Sequence, residues 1–302
     1  MLEHDDPGGD GAHRVMPAHP TVQHVRAHVA VWSWLALGVV VALLGTFFLV
    51  KVIGGTDSTA TTLVPTSSQV LEEVTGVPVS VTNNVGVNSP TVPVDPPTVV
   101  SGAPPLTARA ADGARVPEVL YLGTEFCSFC AAERWPLIVA LSRFGHFNTL
   151  FDLESSLTDY APGTPTFSFA DTTYKSVYLV FRPFEVQSNV LGSDGYRPLT
   201  AVPAPVHAVL VRFDPTSTYP FVDVANRVVV LQANLSPETF VGLTRDQVAA
   251  GLSDPTSAVT QAIVAAANEL TASICHADGQ QPGTVCASVG VLRADAVLGL
   301  RG

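Results

Sequence analysis

The chain has 302 residues, of which 47% are hydrophobic and 14% charged, and its formal net charge is -11. This length accommodates one substantial domain with attachments, or two small domains. An acidic chain without a Lys/Arg cluster repels phosphate backbones, so we expect no nucleic-acid partner.

An uncharged apolar segment lies near the N-terminus, at residues 29–50. A helix rises about 1.5 Å per residue, so a helix of this length spans the hydrocarbon core of a bilayer, which is about 30 Å thick. A cleaved signal peptide would have an apolar region of about 7–15 residues and then a small-x-small cleavage site. Lys51-Val52-Ile53 follows here instead. We therefore predict an uncleaved transmembrane anchor over residues 29–53.

The distribution of basic residues indicates how this anchor is oriented. Arg14 and Arg26 precede it, whereas after Lys51 no Lys or Arg occurs until Arg109. The positive-inside bias then predicts a cytoplasmic tail, residues 1–28, and an extracytoplasmic bulk of the chain, single-pass in the cell membrane. Residues 54–65 are typical of a flexible stalk. The main domain is predicted over residues 66–302.

Before the first strongly apolar strand, the pattern is mixed. Residues 67–73 predict a short helix with Gly76 at its end. Residues 77–81 alternate as an edge strand does, and the prolines of residues 90–105 indicate an extended loop.

The remaining predicted elements follow the order strand, helix, several strands, hairpin and helices, which predicts a mixed α/β domain. The predicted strands are 116–122, 149–153, 166–170 and 174–184, with a hairpin over 221–231. A helix over 131–144 contains Pro136 and ends at Gly145, and segment 203–213 is ambiguous between helix and strand. Three further helices are predicted to open at Ser236, Thr244 and Asp254.

Cys127 and Cys130 form a Cys-x-x-Cys pattern between the first of these strands and its helix. The first N–H groups of a helix are unpaired and carry partial positive charge. A thiolate at Cys127 is therefore stabilised, and we expect its pKa to lie below the ordinary value of about 8.5. Such a thiolate attacks a disulfide, and Cys130, one turn later, resolves the mixed disulfide. The pattern predicts thiol–disulfide exchange without a cofactor or a metal.

Other interpretations of these residues remain open. Cys127 and Cys130 are compatible with a purely structural bridge, with Cu(I) binding, or with a zinc site completed by Cys275 and either Cys286 or His276. The polar loop between Cys275 and Cys286 favours a structural disulfide between these two. Glu125 is placed to shuttle a proton to Cys130, although a solvated turn residue is the more ordinary expectation for a glutamate.

The segment from Val119 to Gly145, with Cys127-Ser128-Phe129-Cys130 at its centre, resembles the thioredoxin-like family known as domain of unknown function 929 (DUF929). Members of this family are membrane-anchored proteins of archaea and actinobacteria. A looser likeness at residues 220–226 and 266–286 extends the resemblance over most of residues 65–290. It implies an α/β, thioredoxin-like fold with an insertion over about residues 155–215, and it names no substrate.

Thioredoxin-like proteins also place a cis-proline opposite the thiol pair, just before a hairpin strand. The resemblance implies that Pro220 has this role because it precedes the predicted hairpin, with Pro165 in Gly163-Thr164-Pro165 as the rival. Phe126 stands where classical thioredoxins have tryptophan, so the redox direction is left open.

The sequence thus predicts a membrane-anchored, extracytoplasmic thiol–disulfide oxidoreductase. Its expected partners are the thiols or disulfides of exported proteins, a redox partner that the sequence does not identify, and the lipid bilayer through the anchor. The alternatives are a thioredoxin-fold module for copper binding and delivery, and a non-catalytic domain stabilised by disulfides.

Overall fold

The computed structural model of the protein describes residues 63–85 and 94–300. The predicted cytoplasmic tail, the predicted transmembrane anchor and most of the predicted stalk lie outside these residues. In the described part of the chain the strands are β1 (Val64–Pro65), β2 (Thr98–Val99), β3 (Thr107–Arg109), β4 (Arg115–Gly123), β5 (Gly145–Glu154), β6 (Pro165–Ser176), β7 (Val180–Glu185), β8 (Gln187–Gly192), β9 (Gly195–Pro198), β10 (Phe221–Val224) and β11 (Val228–Leu231).

Helices account for much of the remaining described chain. They are α1 (Ser68–Thr75), α2 (Val79–Asn84), α3 (Ser128–Leu141), α4 (Ala204–Phe213), α5 (Arg245–Gly251), α6 (Ala258–Ala277), α7 (Gly283–Cys286) and α8 (Val289–Leu298), with a 3-10 helix at Pro237–Phe240. The coarse prediction of a mixed α/β domain is confirmed.

A six-stranded sheet forms the centre of the domain, with the order β2-β11-β10-β4-β3 and with β7 also paired to β4. β4 runs parallel to β7 and antiparallel to β10. The register places Phe221 opposite Leu122 and Glu185 opposite Gly123. The end of β7, the beginning of β10 and the end of β4 therefore meet at one edge of the sheet, where the chain continues into Cys127.

Two smaller sheets are built from hairpins. β5 and β6 form a long antiparallel hairpin that is extended by β1, and β8 pairs with β9. The hairpin of β5 and β6 lies in the chain between α3 and β7. The segment expected as an insertion, residues 155–215, thus contains β7, which belongs to the central sheet.

The core lies where α3 packs against α6 and the sheets. Trp135 is fully buried, and its ring packs against those of Phe167 and Phe240. Ala258–Ala277 is the helix of the described residues that is long and apolar enough to cross a membrane by length and composition, and most of it is buried within the protein. Small residues along α6 allow this close packing.

Several local expectations are corrected. Residues 77–81, expected as an edge strand, lead into helix α2, because Pro78 precedes its first turn and Val81 packs with Val85 and Val264. Residues 64–65, expected in the stalk, pair with β5 as β1.

In the C-terminal third, the helix expected to open at Ser236 is a short 3-10 helix, Pro237–Phe240, and another helix begins later than expected. The helix expected from Asp254 begins at Ala258, because the Asp254 carboxylate accepts hydrogen bonds from Thr256 and forms a separate turn. Segment 203–213, left ambiguous, contains helix α4. The predicted capping box of Thr244 and Gln247 is present.

Candidate functional site

Cys127 is the N-cap residue of α3, and its sulfur takes the place of a capping oxygen. The backbone N–H of Cys130 donates a hydrogen bond to Cys127 Sγ at 3.2 Å. This N–H is one of the donors that a helix leaves unpaired in its first turn. Cys127 is half-buried and Cys130 is fully buried, and both are free thiols. The first turn of α3 thus holds one accessible thiol, Cys127, and one buried thiol, Cys130.

The two thiols have opposite pKa shifts. The pKa of Cys127 is lowered, first by a hydrogen bond with the Cys130 side chain and then by the Cys130 N–H and by Arg134, while burial and Asp159 act against it. The pKa of Cys130 is raised well above its usual value, first by burial and then by Cys127. The main cause of the lowered Cys127 pKa is therefore its partner thiol. At neutral pH the accessible sulfur is the better nucleophile.

A buried ion pair, Arg134–Glu185, lies close to the thiols. Arg134, one turn after Cys130 on α3, donates to both carboxylate oxygens of Glu185 at 2.9 and 2.7 Å. It also donates to the carbonyl of Thr124 at 3.0 Å, while the N–H of Thr124 donates to Cys130 Sγ at 3.5 Å. The Arg134 guanidinium lies 5.6 Å from the ring centre of Tyr121. Neither Arg134 nor Glu185 was expected from the sequence.

The loop between β5 and β6 lies against the first turn of α3. Asp159 Oδ2 accepts a hydrogen bond from the N–H of Ser128 at 2.5 Å, and the N–H of Ser156 donates to the carbonyl of Phe126 at 2.8 Å. The ring of Tyr160 stacks on Phe129 with centres 5.4 Å apart. The sequence did not predict this contact between the loop and the first turn of α3, because no local pattern joins segments about 30 residues apart.

Glu125 is not the solvated turn residue that the sequence favoured. Only 3% of the residue is exposed, and its carboxylate accepts a hydrogen bond from the Ser168 hydroxyl. Burial raises the pKa of Glu125, while Ser168 and the backbone N–H of Asn189 act in the opposite direction. The turn folds inward here, because the backbone N–H of Glu125 pairs with the carbonyl of Gln187. Its role as a proton shuttle remains a hypothesis.

The two candidate prolines lie in different places. The cis X–Pro bonds of the described residues are Tyr219–Pro220 and Gln281–Pro282. Pro220 directly precedes β10, at the edge of the sheet where β4 ends. Tyr219 lies close enough to Cys130 for a thiolate there to raise its pKa, after the larger effect of burial. Pro165 begins β6, and its carbonyl accepts a hydrogen bond from Trp135 Nε1 at 2.9 Å.

The second cysteine pair is a disulfide, Cys275–Cys286, which joins the end of α6 to α7. Each of these sulfurs is bonded to the other, so neither is available as the thiolate ligand that a zinc site with Cys127 and Cys130 would need. Within residues 63–85 and 94–300 there is no group of three or more His, Cys, Asp or Glu side chains placed to hold a metal ion.

Comparisons with known proteins bear on the first part of this site. No curated protein matches the chain, and no solved structure matches it. A family model does match part of it, and that part contains Glu125, both free thiols, Arg134 and Glu185. Residues 111–192, from the turn before β4 to the end of β8, match the family described as Domain of unknown function (DUF929).

Proposed function

We propose that the protein is a thiol–disulfide oxidoreductase in which Cys127 is the attacking residue and Cys130 the resolving one. The observation that carries this proposal is the contrast between two sulfurs one helical turn apart. Cys127 is half-exposed, accepts a helix N–H and has a lowered pKa, whereas Cys130 is buried and has a raised one. A structural pair would not need one accessible, activated sulfur.

The reaction consists of two exchanges. The thiolate of Cys127 attacks one sulfur of a substrate disulfide, so that a mixed disulfide forms and the other substrate sulfur leaves as a thiolate. Cys130 loses its proton to solvent and attacks the sulfur of Cys127. A Cys127–Cys130 disulfide forms, the second substrate sulfur leaves as a thiolate, and two electrons have passed from the protein to the substrate. Run in reverse, the same steps oxidise a substrate dithiol.

The arrangement of the central sheet supports a thioredoxin-like core for this chemistry. The order β7-β4-β10-β11 has β7 parallel to β4, and β10 antiparallel to both β4 and β11. The thiol turn follows β4 and Pro220 precedes β10. In this interpretation the β5–β6 hairpin and the β8–β9 hairpin are additions to the core.

We further propose that the domain works outside the cytoplasm, held to the membrane by residues 29–53. The apolar, uncharged sequence of residues 29–50 supports the anchor. The Cys275–Cys286 disulfide supports an oxidising compartment, where such bonds persist. The substrates would then be exported proteins with thiols or disulfides, and a separate redox partner would restore the starting state of the pair.

Reduction of insulin by dithiothreitol, followed by turbidity, tests the activity. The wild-type chain is expected to accelerate precipitation, whereas Cys127→Ser abolishes the effect. Cys130→Ser is expected to trap a mixed disulfide that is visible on a non-reducing gel. A Cys275→Ala/Cys286→Ala variant controls for general damage and should remain active.

Failure of the wild-type chain in both the insulin assay and a scrambled-ribonuclease assay would contradict the proposal. Protein purified anaerobically with stoichiometric copper on Cys127 and Cys130 would instead favour the metal-delivery alternative.

A further inference from the structure

Cys130 lies among buried polar atoms that lack partners. In the part of the chain that the structure describes, the hydroxyl of Tyr121, Oγ1 of Thr124 and Nη1 of Arg134 are buried without a hydrogen bond. All three residues are at most 2% exposed. Tyr121 and Thr124 belong to β4 and the turn after it, and Arg134 belongs to α3. Such groups are costly to bury, so their collection at one point needs an explanation.

The backbone of Thr124 is hydrogen-bonded both to the guanidinium of Arg134 and to the sulfur of Cys130. Its N–H donates to Cys130 Sγ at 3.5 Å, and its carbonyl accepts from Arg134 at 3.0 Å. Arg134 also follows Cys130 by four residues on α3, so the two side chains lie on one face of the helix. The guanidinium of Arg134, partly offset by Glu185, is therefore buried near the resolving sulfur.

We propose that Arg134 is a positioning residue that stabilises the thiolate of Cys130 during the resolving step, and that Glu185 sets the strength of this effect. The inference rests on the proposed function and adds to it that Arg134 makes the buried thiol of Cys130 reactive. A buried thiolate needs a compensating charge. Cys127, Tyr121 and Tyr219 also interact with this sulfur, but they are acids and supply no positive charge.

Glu185 is unsuited to act as the base that removes the proton of Cys130. Both of its carboxylate oxygens accept hydrogen bonds from Arg134, and Oε1 also accepts one from the N–H of Phe169 at 3.2 Å. Its charge instead offsets that of Arg134. Removing Glu185 alone should therefore make the sulfur more acidic, and removing both charges should make it less acidic.

The experiment measures the resolving step directly. Cys127 is converted to a mixed disulfide with 5-thio-2-nitrobenzoate, and attack by Cys130 forms the Cys127–Cys130 bond and releases the coloured thiolate. The release rate is followed by stopped flow against pH for the wild type, Arg134→Met/Glu185→Met and Glu185→Gln. Below the pKa of Cys130 each unit of pKa changes the thiolate fraction about tenfold.

We expect the double variant to release the dye at least about tenfold more slowly than the wild type at one pH, and Glu185→Gln to release it faster. Arg182→Gln is the matched control, since Arg182 of β7 also pairs with a glutamate, Glu118 of β4, and the release rate of this variant should stay unchanged. General structural damage would slow dye release in both site variants. Opposite changes in the release rate therefore distinguish an effect of charge from structural damage.

An equal rate in the double variant, or a slower rate in Glu185→Gln, overturns the inference. NMR titration of reduced protein with 13C-labelled cysteine β-carbons reads the pKa of Cys130 without any turnover. The pKa of Cys130 therefore tests the role of Arg134 even if the chain fails the insulin assay. Active protein in which the double variant leaves the pKa of Cys130 unchanged would overturn this inference and leave the proposed function intact.

Discussion

The carboxylate of Asp159 accepts a hydrogen bond at 2.5 Å from the N–H of Ser128, the residue that follows Cys127. Asp159 reaches this position from the loop between β5 and β6, whose Tyr160 stacks on Phe129. The first turn of α3 therefore receives two acceptors, the sulfur of Cys127 on the N–H of Cys130 and the carboxylate on the N–H of Ser128. Two negative charges at one helix end oppose each other, and Asp159 accordingly acts to raise the pKa of Cys127.

Replacement of Asp159 by asparagine should increase the reactivity of Cys127. The amide removes the negative charge but keeps an oxygen for the N–H of Ser128, so the pKa of Cys127 should fall. The pH dependence of alkylation by iodoacetamide measures this, and the rate below the pKa should rise severalfold. Asp112→Asn is the matched control, because Asp112 accepts from the N–H of Ala114 near the opposite end of β4. An unchanged or higher pKa in Asp159→Asn would show that this charge does not reach the sulfur.

The features of the site and of the fold that are local in sequence were predictable. The spacing of Cys127 and Cys130 after an apolar strand predicted a sulfur at the beginning of a helix, and Cys127 is the N-cap of α3. The pattern of Thr244 and Gln247 likewise predicted a capping box, which is present. Such features depend on contacts within one helical turn, so they can be inferred from neighbouring residues alone.

The parts that depend on distant contacts were not predictable. Arg134 and Glu185 are 51 residues apart, and no periodic pattern pairs them. Glu125 was expected in solvent because glutamate is seldom buried, yet Ser168, 43 residues away, supplies a partner that makes burial possible. Residues 77–81 alternate in hydrophobicity, but burial of Val81 against Val264 of α6 favours a helix there. Tertiary packing overrides such short patterns.

A second prediction concerns the dependence of stability on pH. Glu133 of α3 is fully buried, and one of its oxygens accepts from the N–H of Asn234 at 2.8 Å. Burial raises its pKa to about 8, although the bond from Asn234 acts to lower it and the nearby Glu269 adds to the rise. Burial also raises the pKa of Glu269 to about 7. In the unfolded chain such carboxyl groups titrate near 4.5.

A folded-state pKa above the unfolded value means that the folded protein binds the extra proton. The stability from Glu133 is then fully present below about pH 4.5 and is lost as the pH rises through about 8. We expect the free energy of unfolding in urea to fall by a few kcal/mol between these limits, since one pKa unit corresponds to about 1.4 kcal/mol.

Glu133→Gln should reduce this decline, because the amide remains neutral and can still accept from Asn234. Glu72→Gln, at an exposed position of α1, serves as the control and should leave the decline unchanged. Part of the decline should remain in Glu133→Gln, because Glu269 and Asp223 also have raised pKa values, each about 7. If the free energy of unfolding of Glu133→Gln fell with pH as steeply as that of the wild type, the raised pKa of Glu133 would be refuted.

The third prediction tests the contact between α3 and β6. Trp135 Nε1 donates to the carbonyl of Pro165 at 2.9 Å within the core. Trp135→Phe keeps an aromatic ring but leaves this buried carbonyl without its donor, which costs about 1–3 kcal/mol. Equilibrium unfolding in urea should show this loss. Tyr160→Phe removes a hydroxyl that donates to Glu238 at an exposed site, and it should change stability by less than about 0.5 kcal/mol. Equal losses in the two variants would contradict the assigned burial.

The last prediction separates the structural cysteine pair from the reactive one. The Cys275–Cys286 bond closes a loop between residues 11 apart in sequence, and both residues are 1% exposed. Closing a loop of this size stabilises a protein by about 2–3 kcal/mol, chiefly by restricting the unfolded chain. Cys275→Ala/Cys286→Ala should lose about this much free energy of unfolding in urea, while the alkylation rate of Cys127 stays at the wild-type value. If the variant instead lost its insulin activity while remaining folded, Cys275 and Cys286 would take part in the electron transfer, and Cys127 with Cys130 would not be a self-sufficient pair.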